Sequence, residues 1–262
     1  MTDWAADLRL AHELADAADA VTMARFLAAD LVVESKPDLT PVSDADRAAE
    51  RGIRERIEVD RPDDAILGEE YGVSGAGARR WVIDPIDGTK NYVRGVPIWA
   101  TLIALQHHEK TEVGVVSAPA LGRRWWASTG GGAWSRFGNG EPRRCQVSKV
   151  AALGDAYLSH SSLTGWKQRG QLPEFLELLG RVWRSRAFGD FWSHMMVAEG
   201  VVDGSCEPEL SLWDLAALQV IVKEAGGRFS DLSGVERADG GSVVCSNGLL
   251  HDDLLAALAP PG

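Results

Sequence analysis

The segment Trp81-Val82-Ile83-Asp84-Pro85-Ile86-Asp87-Gly88-Thr89-Lys90-Asn91-Tyr92 constrains this chain more than any other. A short apolar run ends in two carboxylates three residues apart, and a Gly-Thr pair follows at once. The run predicts a buried strand, and Asp87-Gly88 the turn that ends it. Open α/β sheets bind ligands at the C-terminal ends of their strands, so both carboxylates are expected at a binding edge. Hard divalent cations take oxygen ligands from one or two carboxylates and from backbone carbonyls, and keep waters for substrate oxygens. The Gly88 and Thr89 amides suit an anion. A metal beside an anion cradle points to phosphate chemistry.

The 262 residues suffice for one large or two modest domains with a substantial core. A formal net charge of −11 argues against a nucleic-acid binder, which displays a basic face. An acidic protein that handles an anion needs local positive charge, and bound metal ions supply it. Cys145, Cys206 and Cys245 are widely spaced and form no Cys-x-x-Cys pair. They read as reduced thiols, not as a disulfide framework or zinc site. Asp3 and Asp7 precede any apolar run, so no secretory leader is visible, and no segment reaches the roughly 18 apolar residues of a membrane span. The expectation is a cytoplasmic protein with neither membrane nor nucleic acid as partner.

Leu10, Leu14, Ala17, Val21, Ala24, Ala28 and Leu31 recur in steps of three and four, which predicts an amphipathic helix over about 3–33, ended by Lys36-Pro37-Asp38. Ser43 looks like the N-cap of a second helix running to about Glu58. Ala65–Gly68 reads as a short strand leading into Glu69-Glu70, and Tyr71–Arg80 as a loop. Trp99–Gln106 and Glu112–Ala118 predict a hairpin, with Arg124–Ser128 and Ala133–Arg136 continuing the sheet. After about residue 150 strands and helices alternate, with strands at 155–159, 182–186, 201–206, 227–230 and 242–245 and helices at 172–180, 190–199, 213–225 and 249–258. This order predicts an α/β chain of layered α-β-α-β-α outline. Its halves, 1–150 with most of the acidic motif and 151–262 with Asp214, are expected to share one compact body.

Taken singly, the carboxylates have ordinary readings. Asp214 before an apolar helical run reads as an N-cap, Asp46 as a solvated first-turn residue, Glu69 and Glu70 as an exposed pair, and Asp84 and Asp87 as a turn. Together they form a pattern. Gly68-Glu69-Glu70, the Trp81–Tyr92 segment with Gly95-Val96-Pro97, and Trp213-Asp214-Leu215-Ala216-Ala217 with Glu224-Ala225-Gly226-Gly227 resemble the two signatures of the inositol monophosphatase-like family. Lys36, Val42-Ser43 and Asp46 fit its N-terminal element, and the resemblance runs from about residue 8 to 257. Ser43 stands where threonine is commoner and Tyr92 where phenylalanine is, and both changes are conservative.

The resemblance implies a Mg²⁺-dependent phosphomonoesterase with two or three metal ions, with Mn²⁺ suited to the same hard oxygen donors. It places Glu69, Asp84 and the Ile86 carbonyl on one ion, Asp84, Asp87 and Asp214 on a second, and Asp46 on a weaker third. Glu69 and Thr89 would position and deprotonate the attacking water, with Asp46 beside them. The Gly88 and Thr89 amides would hold the phosphate. A homodimer is the implied assembly.

Which phosphate ester is cleaved turns on Arg186-Ala187-Phe188-Gly189-Asp190 and on Glu207, seven residues before Asp214. An acid directly after this glycine resembles the branch of the family that hydrolyses histidinol phosphate. Two carboxylates, Asp190 and Glu207, suit an ammonium or imidazolium better than a neutral polyol. Asp190 also reads as a helix cap, and Arg186 equally as a substrate contact or an ordinary ion-pair partner. The expected reaction is hydrolysis of L-histidinol phosphate in histidine biosynthesis, with an inositol or sugar monophosphate ester as the alternative. A nucleotide bisphosphate is disfavoured, because the two acids would repel its second phosphate. A non-catalytic metal-binding scaffold is the rival of another class. The six histidines show no metal-ligand spacing and are expected on the surface or in helix packing.

Overall fold

The computed structural model describes residues 4–37 and 40–259. Helix α1 (Ala5–Arg25) is followed by a hairpin of β1 (Val33–Ser35) and β2 (Pro41–Ser43) and by helix α2 (Asp44–Asp60). Next come β3 (Ala65–Gly68), β4 (Gly72–Ser74), β5 (Arg79–Asp87), the short helix α3 (Thr89–Val93), β6 (Ala100–His107), β7 (Lys110–Ala118), β8 (Arg123–Ser128), β9 (Gly132–Phe137) and β10 (Arg143–Arg144). These eight strands form one sheet in the order β10-β9-β8-β7-β6-β5-β3-β4, antiparallel except where β3 meets β5. The second half adds β11 (Tyr157–Ser159), α4 (Thr164–Arg169), α5 (Leu172–Arg181), β12 (Arg184–Arg186), α6 (Asp190–Ala198), β13 (Gly204–Glu207), α7 (Leu212–Glu224), β14 (Arg228–Ser230), β15 (Val243–Ser246) and α8 (His251–Leu258). Its five strands pair in the order β12-β11-β13-β15-β14.

The period of two along the central strands builds the layers. Trp81 and Ile83 of β5, with Ile103 and Leu105 of β6, pack on α1 and α2. Val82, Leu102 and Ala104 face the other way, onto a core shared with α6, α7 and the strand residues Phe229, Val243 and Cys245 of the second sheet. The opposite face of that sheet, through Leu158, Cys206 and Val244, is covered by α4, α5 and α8. Helices, sheet, helices, sheet, helices is the layered α/β fold. Strands buried on both faces read as continuous apolar runs, which is why β6 stands out in the sequence. Gly114 in β7 admits α7, since a Cβ there would lie 2.6 Å from the Ala217 carbonyl oxygen.

Several boundaries differ from expectation. The first helix ends at Arg25 rather than near residue 33. Phe26 leaves it in an extended conformation and packs against Tyr92 and Trp99, while the Tyr92 hydroxyl donates to the Thr22 carbonyl. Residues 33–35 pair as a strand instead. Asp3 and Asp38, parts of the expected helix start and stop, lie outside the described residues. The expected loop Tyr71–Arg80 contains β4, which pairs with β3, and helix α4 had no apolar stripe long enough to announce it.

Candidate active site

Asp84 and Asp87 are three apart, and in a regular strand they would face opposite sides of the sheet. Between them the register of β5 against β6 slips: Asp84 sits opposite Leu102 and Asp87 opposite Ala100. This irregularity lets both carboxylates turn toward one place, the usual effect of a bulge next to a site. The Thr101 hydroxyl donates to the Pro85 carbonyl and the Ile86 amide to Asp84 Oδ1, which pin the bend.

Two helix starts complete the acidic group. Ser211 precedes α7, and its amide donates to Oδ2 of Asp214, three residues on. Asp214 is thus not the N-cap; Ser211 is. The same device recurs at α2, where the Ser43 amide and hydroxyl both donate to Asp46 Oδ2 at 2.7 and 2.6 Å. Asp46 is fully buried, not a solvated first-turn residue. Thr89 Oγ1 lies 3.0 Å from the Ile86 carbonyl oxygen and 3.4 Å from Asp46 Oδ1. Glu69 and Glu70 are not a free exposed pair, because Lys36 Nζ bridges them at 2.7 and 2.6 Å.

Asp84, Asp87 and Asp214 each place a carboxylate oxygen within 4.8 Å of the others. Asp84 also meets the Glu69 carboxyl. Burial, reinforced by the charges of Glu69, Asp87 and Asp214, holds Asp84 well above the ordinary carboxylate range. Burial and the charges of Asp190 and Asp214 do the same to Asp87. Burial pushes Asp214 up to about 7 and Asp46 up to about 6. So many converging acids need positive charge, and a set made only of oxygen donors fits a hard divalent cation.

The second group of named residues lies past Gly88. With φ of +83°, Gly88 starts α3 in a conformation that glycine tolerates, and a Cβ there would lie 3.0 Å from the Ile98 oxygen and 3.3 Å from Asp190 Oδ2. Asp190 itself is strained, with φ of +48°. Its carboxylate accepts a hydrogen bond from Asn91 across the turn, and the next amide, Phe191 N–H, donates to Asp87 Oδ2. Burial and the nearby Glu207 raise Asp190 to about 6. Glu207, at the end of β13, is buried and bonded to Ser161 and His194. Arg186 stays outside this group: it is exposed, and its guanidinium donates to the Ser185 carbonyl.

Three residues that the sequence does not single out join the site: Asn91 on Asp190, and Ser161 and His194 on Glu207, so His194 is a buried site neighbour rather than a surface or helix-packing histidine. Asp190 and His194 are one turn apart on a helix, and that i, i+4 spacing was the available signal for His194. Phe191 belongs to the core, where it packs on Trp125.

Comparison with known proteins finds similar sequences and folds along nearly the whole chain. The chain is 58% identical over 262 residues to a histidinol-phosphatase of Streptomyces coelicolor, covering 98% of each chain. It is 55% identical over 253 residues to the histidinol-phosphatase of Mycobacterium tuberculosis, covering 96% of this chain and 97% of that one. Among solved structures, an IMPase of Thermotoga maritima superposes with a TM-score of 0.85 at 34% identity, covering 96% of both chains. The model of the inositol monophosphatase family matches residues 3–260. By sequence, fold and acidic cluster alike, the chain belongs to the metal-dependent inositol monophosphatase family.

Proposed function

We propose that this chain is a phosphomonoesterase that hydrolyses L-histidinol phosphate to L-histidinol and phosphate, a step of histidine biosynthesis, with Mg²⁺ as cofactor. The observation that carries the substrate choice is the acidic pair at the far end of the site. Asp190 is held against the Gly88 turn by Asn91, within the field of buried Glu207. Charge-assisted hydrogen bonds to an ammonium or imidazolium would relieve that pair, whereas a neutral polyol would not. The two histidinol-phosphatase relatives support the same reading.

Glu69, Asp84 and the Ile86 carbonyl would hold one Mg²⁺, Asp84, Asp87 and Asp214 a second, and Asp46 a third; Mn²⁺ would suit the same donors. When bound, the ions supply positive charge that acidifies a water and neutralises the phosphoryl oxygens. The chain itself does the rest. Glu69 receives the proton of the attacking water, and Thr89, whose hydroxyl lies beside Asp46, orients that water. The amides of Gly88 and Thr89, at the open start of α3, hold phosphate oxygens. Asp190 and Glu207 orient the alcohol so that its oxygen leaves opposite the entering water and takes up a proton from solvent water as the P–O bond breaks.

The test is phosphate release with Mg²⁺ from histidinol phosphate and from inositol 1-phosphate, in wild type and Asp190→Asn. The expected result is preference for histidinol phosphate, falling by roughly ten- to hundredfold in the variant, the scale of a hydrogen bond to a charged group. Preference for the inositol ester, or an indifferent variant, would leave the phosphatase and sink the substrate. The assembly proposed is a homodimer, supported by Trp183, which is 66% exposed beside the open edge of β12.

A further inference from the structure

Glu207 is held from two sides by groups on different elements. His194 Nε2, on α6, lies 3.0 Å from Oε1, and the Ser161 hydroxyl, just past β11, donates to Oε2 at 2.6 Å. Imidazole and carboxylate are both almost fully buried. His194 Nδ1 is also buried and has no hydrogen-bond partner among the described residues. A bare ring lone pair costs less than a bare N–H, so the proton belongs on Nε2 and the imidazole donates to Glu207. A carboxylate offers about four lone-pair positions, so two remain for a ligand after His194 and Ser161 are served.

The same helix carries Asp190 one turn earlier. Its start is itself pinned: the Gly189 amide donates to Ser193 Oγ, and Ser193 Oγ shares a hydrogen bond with Ser159 Oγ at 2.7 Å. One rigid element therefore sets both the strained Asp190 and the donor that aims Glu207. We propose that His194 is a positioning residue which, together with Ser161, fixes the Glu207 carboxylate so that it and Asp190 jointly grip the cationic end of the substrate. This rests on the histidinol phosphate reading above. It adds that specificity depends on a buried imidazole that never touches the substrate.

The experiment compares His194→Leu and His194→Gln with wild type on histidinol phosphate and on a neutral ester, glycerol 2-phosphate, alone and with Glu207→Gln. His194→Leu is expected to raise KM for histidinol phosphate about tenfold, the cost of one charge-assisted bond, while kcat and the neutral ester's constants stay within about twofold. His194→Gln, which keeps an N–H donor, is expected to restore KM. Once Glu207 is Gln, His194→Leu is expected to add almost nothing. An equal loss on both esters, or the full tenfold effect persisting without the Glu207 carboxylate, would overturn the proposal. A wild type without preference for histidinol phosphate would overturn it together with the substrate assignment; a wild-type preference that His194→Leu leaves intact overturns it alone. If His194→Leu does not fold, Ser161→Ala removes the other donor and must show the same substrate-selective rise in KM.

Discussion

Asp46 and Asp214 each put one oxygen to a local use and keep the other for the site. Oδ2 accepts the backbone at a helix start, which leaves Oδ1 of Asp46 to face Thr89, while the Asp214 carboxyl also meets Asp84. The local bond fixes the rotamer, so the functional oxygen arrives already oriented. Crowding these acids has a cost in the absence of cations, visible in the raised Asp84, Asp87 and Asp214. Asp84→Asn is therefore expected to match or exceed wild type in thermal midpoint in EDTA. Saturating Mg²⁺ should raise the wild-type midpoint by roughly 5 °C or more and leave the variant unmoved. Differential scanning fluorimetry reads both. A variant that is destabilised in EDTA yet still responds to Mg²⁺ contradicts the assignment of Asp84 to the metal.

Among elements, the informative ones are those whose ends make the site. The irregularity in β5 turns an i, i+3 pair to one side, and the start of α2 brings Asp46 under Thr89. Ser43 both caps that helix and donates to Asp46. Ser43→Ala should lower the thermal midpoint by about 2–4 °C, the loss of one cap in a chain of this size, whereas Ser43→Thr should be silent. A silent Ser43→Ala would show that the cap contributes nothing. The limits of α1 show how an element can be shorter than its pattern. Its apolar periodicity continues past Arg25, but the aromatic cluster of Phe26, Tyr92 and Trp99 draws the chain away. Burial of large rings outweighs the small per-residue gain of further helix.

In the whole molecule, α6 and α7 lie between the two sheets, and both helix starts point at the site from the second half of the chain. The acidic motif of the first half is thus closed by residues more than a hundred positions away. No described helix is long and apolar enough to cross a membrane. The proposed homodimer predicts a sedimentation mass of two chains for wild type and a shift toward one chain for Trp183→Glu. A wild type that sediments as a single chain at micromolar concentration ends that proposal. What the sequence determined by itself was whatever is encoded in nearby residues: the alternating strands, the helix start at Ser43, the helical run that follows Asp214, and the carboxylates of the family signatures. Tertiary structure alone decided which of these meet. The slip in β5, the positive φ of Asp190, the Lys36 bridge to Glu69 and Glu70, the outward Arg186 and the buried His194–Glu207 pair all depend on segments far apart in the chain. Periodicity reports the face a residue turns to the core, but a hydrogen bond or ion pair between distant segments exists only once packing has set their separation.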